Sequence, residues 1–253
     1  MLDCKPCSFP MEQHHRLLAD SGTLYPNPPQ YRRLIDRLIY LTITRPEISY
    51  SVHVLSQFMQ APRQEHWHAT MRVVRYLKSF PSQGIILPKE NDLNLVGYSD
   101  SDWASCPITR RSITGYLMKL GPILISWKTK KQATVSKSST EAEYRAMSHA
   151  ASEVVWLRSL LATLQVPCKK PTTLLCDNQS ALHLASNPVF HERTKHIEVD
   201  CHFVRERLQS GALTTSYIPT TCQQADLFTK ALGAKQFHAL LSKLGVHNAH
   251  SPT

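Results

Sequence analysis

Three features of the sequence predict an α/β fold, a mixed five-stranded sheet with helices on its faces, preceded by a small all-helical segment. Short apolar stretches at residues 93 to 99, 112 to 120 and 123 to 128 follow one another, the last two joined by the turn pair Gly121-Pro122, as strands in successive hairpins do. Beyond them, helical spacing alternates with two further strand-like runs, 172 to 176 and 213 to 218, an order that suits a sheet covered by helices. Before about residue 90 the apolar residues recur only at threes and fours, so that stretch reads as helices alone.

In order along the chain, residues 1 to 30 carry Pro6, Pro10, Pro26, Pro28 and Pro29 without sustained periodicity and read as an extended lead-in. Leu34, Leu38 and Leu41, then Val52, Leu55, Phe58 and Met59, then Met71, Val74 and Leu77 mark three helical pieces, divided by Pro46 and Pro62. The pattern breaks between Pro81 and Asn91, which places a boundary near residue 90. The expected division is lead-in 1 to 30, helical segment 31 to 90, α/β domain 91 to 246 and tail 247 to 253. Within the α/β part, helices are expected at 139 to 164, 179 to 185, 194 to 209, 223 to 232 and 235 to 244.

The chain has 253 residues and 42% hydrophobic composition, enough for a sizeable core. Lys and Arg outnumber Asp and Glu by 29 to 19, and the formal charge of +10 favours a polyanionic partner. Of seven cysteines only Cys4 and Cys7 stand in C-x-x-C spacing, with no second pair to complete a zinc site, so a reduced intracellular chain is expected. No apolar run approaches the ~18 residues of a membrane span, and no secretory leader is recognisable.

Against that positive background, four acids stand out. Asp100 ends the first strand in GYSDSDWAS, and Asp177 follows the strand TTLLC, so both lie at C-terminal strand ends, where ligand sites of open sheets collect. Glu143 begins the spacing Met147, Ala150, Val154, Leu157, Leu161 on the long helix and therefore points with the core-facing stripe. Asp226 lies in QQADLFTKAL. Each also has an ordinary structural explanation. Thr140 and Glu143 have capping-box spacing, although Ser138 and Glu141 offer the same box; Asp177 could cap the next helix, as could Asn178; and Asp226 could complement a helix dipole. Four converging carboxylates would repel one another unless cations neutralised them, and oxygen ligands suit Mg²⁺ or Mn²⁺. Asp102 is the nearest rival to Asp100, since side chains two apart share a face of a regular strand. Trp103 is expected to be a packing residue beside the site rather than a stacking platform.

The segments GYSDSDWASCPITRRSITGYLMKLG, LISWKTKKQATVSKSSTEAEYRAM, LLCDNQSALHLASNPVFHERTKHIEVDCHFVRE and QQADLFTKAL, in this order, resemble the ribonuclease H domain at the C-terminal end of copia-type LTR retrotransposon polyproteins. The earlier segments KPCSFPMEQHHRL, YRRLIDRLIYLTITRPEISYSVHVLSQFM and HWHATMRVVRYLK resemble the tail of the copia reverse transcriptase and its connection to that domain. The resemblance implies a ribonuclease H-like fold and two Mg²⁺ ions, or Mn²⁺, held by Asp100, Glu143, Asp177 and Asp226. It also implies hydrolysis of the RNA strand of an RNA–DNA hybrid, with the remainder of the reverse transcriptase as a partner in the intact polyprotein.

Arg110, Arg111, Lys128, Lys130, Lys131, Lys137 and Lys195 are the candidate backbone contacts, although for each one a solvated surface is an equally good explanation. Two features depart from the family pattern. The stretch SYIPTTCQQAD has no histidine before the fourth acid, and no paired-aspartate YxDD motif occurs, so polymerisation by this chain is not expected. In HERTKHIEVDCH, His191, His196, Cys201 and His202 lack H-E-x-x-H spacing, and a basic helix start is the better expectation than zinc. The competing functional readings are a catalytically silent remnant that only binds nucleic acid, and a strand-transferring integrase, against which the motif order speaks.

Overall fold

The computed structural model describes residues 4 to 187 and 197 to 248. In chain order the helices are α1 (Pro28–Leu41), α2 (Ser49–Ser56), α3 (Gln64–Ser79), α4 (Ser139–Thr163), α5 (Gln179–Ser186), α6 (Glu198–Gln209) and α7 (Ala234–Lys243). The strands are β1 (Gln83–Ile85), β2 (Leu95–Asp102), β3 (Ile113–Leu120), β4 (Ile123–Lys131), β5 (Thr172–Cys176), β6 (Leu213–Tyr217) and β7 (Val246–Asn248). The chain forms two compact units, one of residues 1 to 86 with 230 to 253, the other of residues 87 to 229.

In the first unit, Asn27 caps α1 by accepting the Gln30 amide, and Pro28 and Pro29 occupy the first turn, where a missing N–H costs nothing. Tyr31, Ile35 and Leu38 form the buried face of α1, and the Tyr31 hydroxyl donates to the Leu55 carbonyl at 2.8 Å, tying α1 to α2. The stretch ahead of α1 is fastened to α3. Arg63 donates to the carbonyls of Ala19 and Gly22, and His66 spans the Arg63 amide and the Leu18 carbonyl. Burial lowers the pKa of His66, and with Nδ1 accepting from an amide, Nε2 is the nitrogen that donates to Leu18.

This unit is not wholly helical, and it gathers more of the chain than the sequence pattern indicated. β1 pairs antiparallel with β7, Gln83 opposite Asn248 and Ile85 opposite Val246, and α7 places Phe237 edge-on to Tyr76 of α3 at 5.7 Å. Thus α7, expected within the α/β domain, clusters with the residues before 87. The reason is physical: Phe237, Leu240 and Leu241 need an apolar surface, and Tyr76 and Phe80 supply part of it.

The second unit is the α/β domain. Its five-stranded sheet has the order β4-β3-β2-β5-β6, with β2, β3 and β4 antiparallel and β5 and β6 parallel to β2. The core lies between this sheet and α4, α5 and α6, with Met118, Tyr144, Met147, Leu174 and Val204 fully buried. The Ser148 hydroxyl donates to Asp200 at 2.8 Å, joining α4 to α6. Cys201 is buried in the same core, which removes it from any exposed metal cluster, while His191, His196 and Lys195 lie outside the described residues. Among the described residues, no helix is long and apolar enough to cross a membrane.

Truncating Phe237 to alanine should cost the first unit about 3 kcal/mol, the usual loss for a buried aromatic ring. Urea unfolding followed by the near-ultraviolet signal of its aromatic residues checks this.

Candidate active site

The site is built around β2, the central strand. The strand does not stop at Asp100 but continues to Asp102, which pairs with Ile113, so alternation places Asp100 and Asp102 on the same face. Asp100 is 1% exposed whereas Asp102 is only half-buried. β5 runs parallel with Tyr98 opposite Leu175, and two residues further along each strand direction stand Asp100 and Asp177.

The helix caps decide which acids are available. Ser138 caps α4 by accepting the Glu141 amide at 3.2 Å, and the Glu141 carboxylate takes the Lys137 amide at 2.7 Å and the Arg145 guanidinium at 3.0 Å. Thr140 lies inside the helix, so Glu143 has no capping duty and faces inward with Met147, Ala150, Val154, Leu157 and Leu161, all buried. At α5 the cap is Asn178, whose side chain accepts the Ala181 amide at 3.0 Å. Asp177 instead accepts a hydrogen bond from the Thr220 hydroxyl at 2.8 Å.

Glu143, Cys176 and Asp177 bring one ligand atom each to within 4.8 Å of one another. Cys176 is the member that the sequence pattern did not single out. Its signal was the alternation of TTLLC, which sends Leu174 and Cys176 to the same buried face. Burial, reinforced by the charges of Glu143, Asp177 and Asp100, pushes the Cys176 thiol far above its ordinary range. A neutral sulfur contributes little to a hard cation, so the oxygen donors Glu143 and Asp177 are the pair here that fits Mg²⁺ or Mn²⁺. Asp100 and Asp226 stand outside this mutually close set.

Asp226 approaches from the opposite face of the sheet to α4. Tyr116 and Ser126 point to α4, where both hydroxyls donate to Glu153, while Gly115 and its cross-strand partner Thr129 face residues 225 to 229. The expected helix at 223 to 232 is replaced by 3-10 turns at Thr220–Cys222 and Gln224–Phe228. Long-range bonds dictate that shape: Gln223 donates to the Ser99 carbonyl at 3.0 Å, Gln224 to the Tyr98 hydroxyl at 3.0 Å, and Thr229 to the Asp100 carboxylate. Asp226 is 1% exposed, and its carbonyl lies 3.5 Å from the same Thr229 hydroxyl. Gly115 makes this approach possible, because a Cβ there would stand 2.6 Å from Thr229 Cγ2 and 2.9 Å from Phe228 Cβ.

Gln132 braces the other side. Buried at 3% exposure, it donates to Thr114 at 3.0 Å and to the Ala142 carbonyl at 2.9 Å, and it accepts from the Ser136 hydroxyl at 2.8 Å. Ala142 precedes Glu143, so this amide fixes the first turns of α4 against β3.

The basic candidates gather at the same sheet end as the acids. Arg110 and Arg111 are exposed in the loop between β2 and β3, Lys128 and Lys130 are exposed on edge strand β4, and Lys137 is exposed ahead of α4. Lys131 differs, since its ammonium donates to Cys106 Sγ at 3.2 Å. Burial alone would raise the Cys106 thiol, but hydrogen bonds involving Thr109, Lys131 and the Ile108 backbone bring it down to about 7. Lys195 lies outside the described residues.

No protein-family profile matches the chain. It is 46% identical over 246 residues to the retrovirus-related Pol polyprotein from transposon RE2 of Arabidopsis thaliana, covering 97% of this chain and 17% of that protein. The corresponding polyprotein from transposon RE1 of the same plant is also 46% identical, over 97% of this chain and 17% of its own length. That from transposon TNT 1-94 of Nicotiana tabacum is 34% identical over 98% of this chain and 19% of its length. The chain therefore spans less than a fifth of these relatives. Similar solved structures include a foamy viral protease-reverse transcriptase in complex with double-stranded DNA, at 14% identity over 81% of this chain and 33% of that one, with a TM-score of 0.46. Another is LC11-RNase H1 in complex with an RNA/DNA hybrid, at 11% identity over 54% of this chain and 94% of that one, with a TM-score of 0.40.

Replacing Gly115 with alanine should push residues 225 to 229 off β3 and open the bond between Thr229 and Asp100. Amide exchange in 224 to 229 is expected to accelerate by about tenfold or more, the equivalent of losing one hydrogen bond's net worth or slightly more. Unchanged exchange there would show that the close approach is not needed.

Proposed function

Because the chain belongs to the copia-type retrovirus-related Pol polyproteins of transposons, we propose that its second unit is a metal-dependent nuclease that hydrolyses the RNA strand of RNA–DNA hybrids. The observation that supports this reading is the approach of Glu143 to Asp177, whose ligand atoms and that of Cys176 lie within 4.8 Å of one another, with Asp100 on the adjacent strand and Asp226 in the segment whose Thr229 donates to Asp100. Asp100 comes from β2, Glu143 from α4, Asp177 from the end of β5 and Asp226 from the 3-10 turn held to β2.

In this reading Asp100, Glu143, Asp177 and Asp226 would hold two Mg²⁺ ions, or Mn²⁺. Bound there, the ions would supply activation of a water and neutralisation of the charge that develops on the departing oxygen. The rest is the work of the chain. Asn178 and Ser138 take the capping roles at the helix starts beside Asp177 and Glu143. Thr229 and Thr220 donate to Asp100 and Asp177 and fix the directions of their remaining lone pairs. Arg110, Arg111, Lys128, Lys130 and Lys137 take the phosphates of the duplex, which sets its register without reading its sequence. Water adds to phosphorus, the bond from phosphorus to the 3′ oxygen breaks, and the products are a 3′-hydroxyl and a 5′-phosphate. A preference for the RNA strand would come from contacts with its 2′-hydroxyls. The remainder of the polyprotein is the proposed protein partner.

A labelled RNA–DNA hybrid incubated with Mg²⁺ tests the reading. Cleavage should stop on chelation and return on adding Mg²⁺, and Asp100→Asn and Asp177→Asn should each lower the rate on the order of 10²-fold or more, as loss of a preorganised electrostatic group does. Equal cleavage by parent and variants would discard the site. Binding of the hybrid without any cleavage would identify a catalytically silent remnant.

A further inference from the structure

Trp103 directly follows β2, three residues beyond Asp100, and the structure does not use it as a core residue: 49% of its surface is exposed. Its indole N–H nevertheless has a fixed partner, the Ser136 carbonyl at 3.0 Å. Ser136 is in turn anchored through its hydroxyl to Gln132, which holds the start of α4. The backbone after the tryptophan is equally fixed. Ala104 adopts a left-handed φ of 52° and donates its amide to the Ser112 hydroxyl at 3.0 Å. The ring is thus tethered by its polar edge and held half in solvent. This arrangement fits a contact surface better than a packing role.

The surroundings say what kind of partner it fits. The loop that Trp103 begins closes on itself through Cys106 and Arg111, and it carries the exposed Arg110 and Arg111. The end of β4, with exposed Lys130, pairs with the start of β3 at this same end of the sheet, and exposed Lys137 follows Ser136 directly. A flat apolar face inside a rim of positive charge suits a sugar–phosphate strand, whose phosphates meet the cations and whose sugar rings offer an apolar face. A protein partner for this face would have to be strongly acidic, a demand that a nucleic-acid duplex meets along its whole length.

We propose that Trp103 is a substrate contact, packing its indole face against a sugar ring of the bound hybrid next to the phosphates held by Arg110, Arg111, Lys130 and Lys137. This rests on the nuclease reading above and adds to it a residue that locates the strand beside the carboxylates. Because Trp103 is tied through Ser136 and Gln132 to the turn that bears Glu143, the contact also fixes the strand's distance from that acid.

Binding of a fluorescein-labelled RNA–DNA hybrid, without added divalent ion so that no cleavage intervenes, tests the contact in the full chain. Trp103→Ala should weaken binding about tenfold and Trp103→Phe no more than about threefold, in line with aromatic stacking on nucleic acid. Unlabelled hybrid should quench tryptophan emission of the parent, and Trp103→Phe should lose most of that quenching, a change that a purely structural role would not produce. With Mg²⁺ present, Trp103→Ala should raise KM and, because the contact positions the strand, lower kcat as well. If both variants bind as the parent does, or if Trp103→Phe keeps the full quenching, the contact is wrong while the nuclease reading stands. Should Trp103→Phe lose as much affinity as Trp103→Ala, the N–H bond to Ser136 is what matters and the ring face is not a contact. A parent chain that binds no hybrid overturns the nuclease reading and this contact together.

Discussion

The site depends on how closely residues 225 to 229 can approach the central sheet. That approach is set by one missing methyl group at Gly115, over which Thr229 and Phe228 lie at distances no side chain would tolerate. It lets the Thr229 hydroxyl reach Asp100, a residue 129 positions earlier in the chain. Gln223 secures the same segment through the Ser99 carbonyl, so the fourth acid is held by groups from β2 itself. A sheet covered on one face by α4 and clamped on the other by this short segment leaves β2 little freedom. That rigidity suits a constellation of like charges, which would otherwise relax apart.

A second constraint comes from the helix starts. Each acid that heads a helix competes with the backbone amides there, and an acid used as a cap is lost as a ligand. The chain resolves this at two of the candidate acids with a nearby substitute cap. Ser138 and Glu141 satisfy the first amides of α4 while Glu143 turns inward; Asn178 satisfies those of α5 while Asp177 turns to Thr220. The polar residues adjacent to these two acids therefore matter to the local structure, since they take the capping roles there.

Much of this was legible in the sequence because it is local. The alternation of LVGYSD and TTLLC, the stripe from Glu143 to Leu161, and the duplicate caps all lie within a few residues of the features they explain. β5 spans the expected residues, and α4 ends one residue short of expectation. What was not legible depends on long-range contacts. QQADLFTKAL has helical spacing, yet bonds to Ser99, Tyr98 and Asp100 draw it into 3-10 turns. The return of α7 and β7 to the first unit depends on Phe237 meeting Tyr76 and on a three-residue strand pair too short to leave a pattern. Cys176 has no spacing partner among the other cysteines, and its nearness to Glu143 and Asp177 comes from its place in an alternating strand that packs against α4.

The arrangement of charge joins these points. The acids are buried or half-buried at the centre of the sheet end, while the arginines and lysines are exposed around it on the β2–β3 loop, edge strand β4 and the approach to α4. Opposite charges so placed do not simply neutralise one another. Exposed cations are screened over about 8 to 10 Å by salt, and they remain available to a polyanion. The buried acids lose solvation and call for a cation of higher charge density than a lysine can supply. A chain with a formal charge of +10 can therefore keep a negative centre, provided that the two populations differ in depth. The backbone that places Asp100 in the centre and Trp103 on the rim changes depth within three residues, and it is this step that would set a bound strand's phosphates beside the carboxylates.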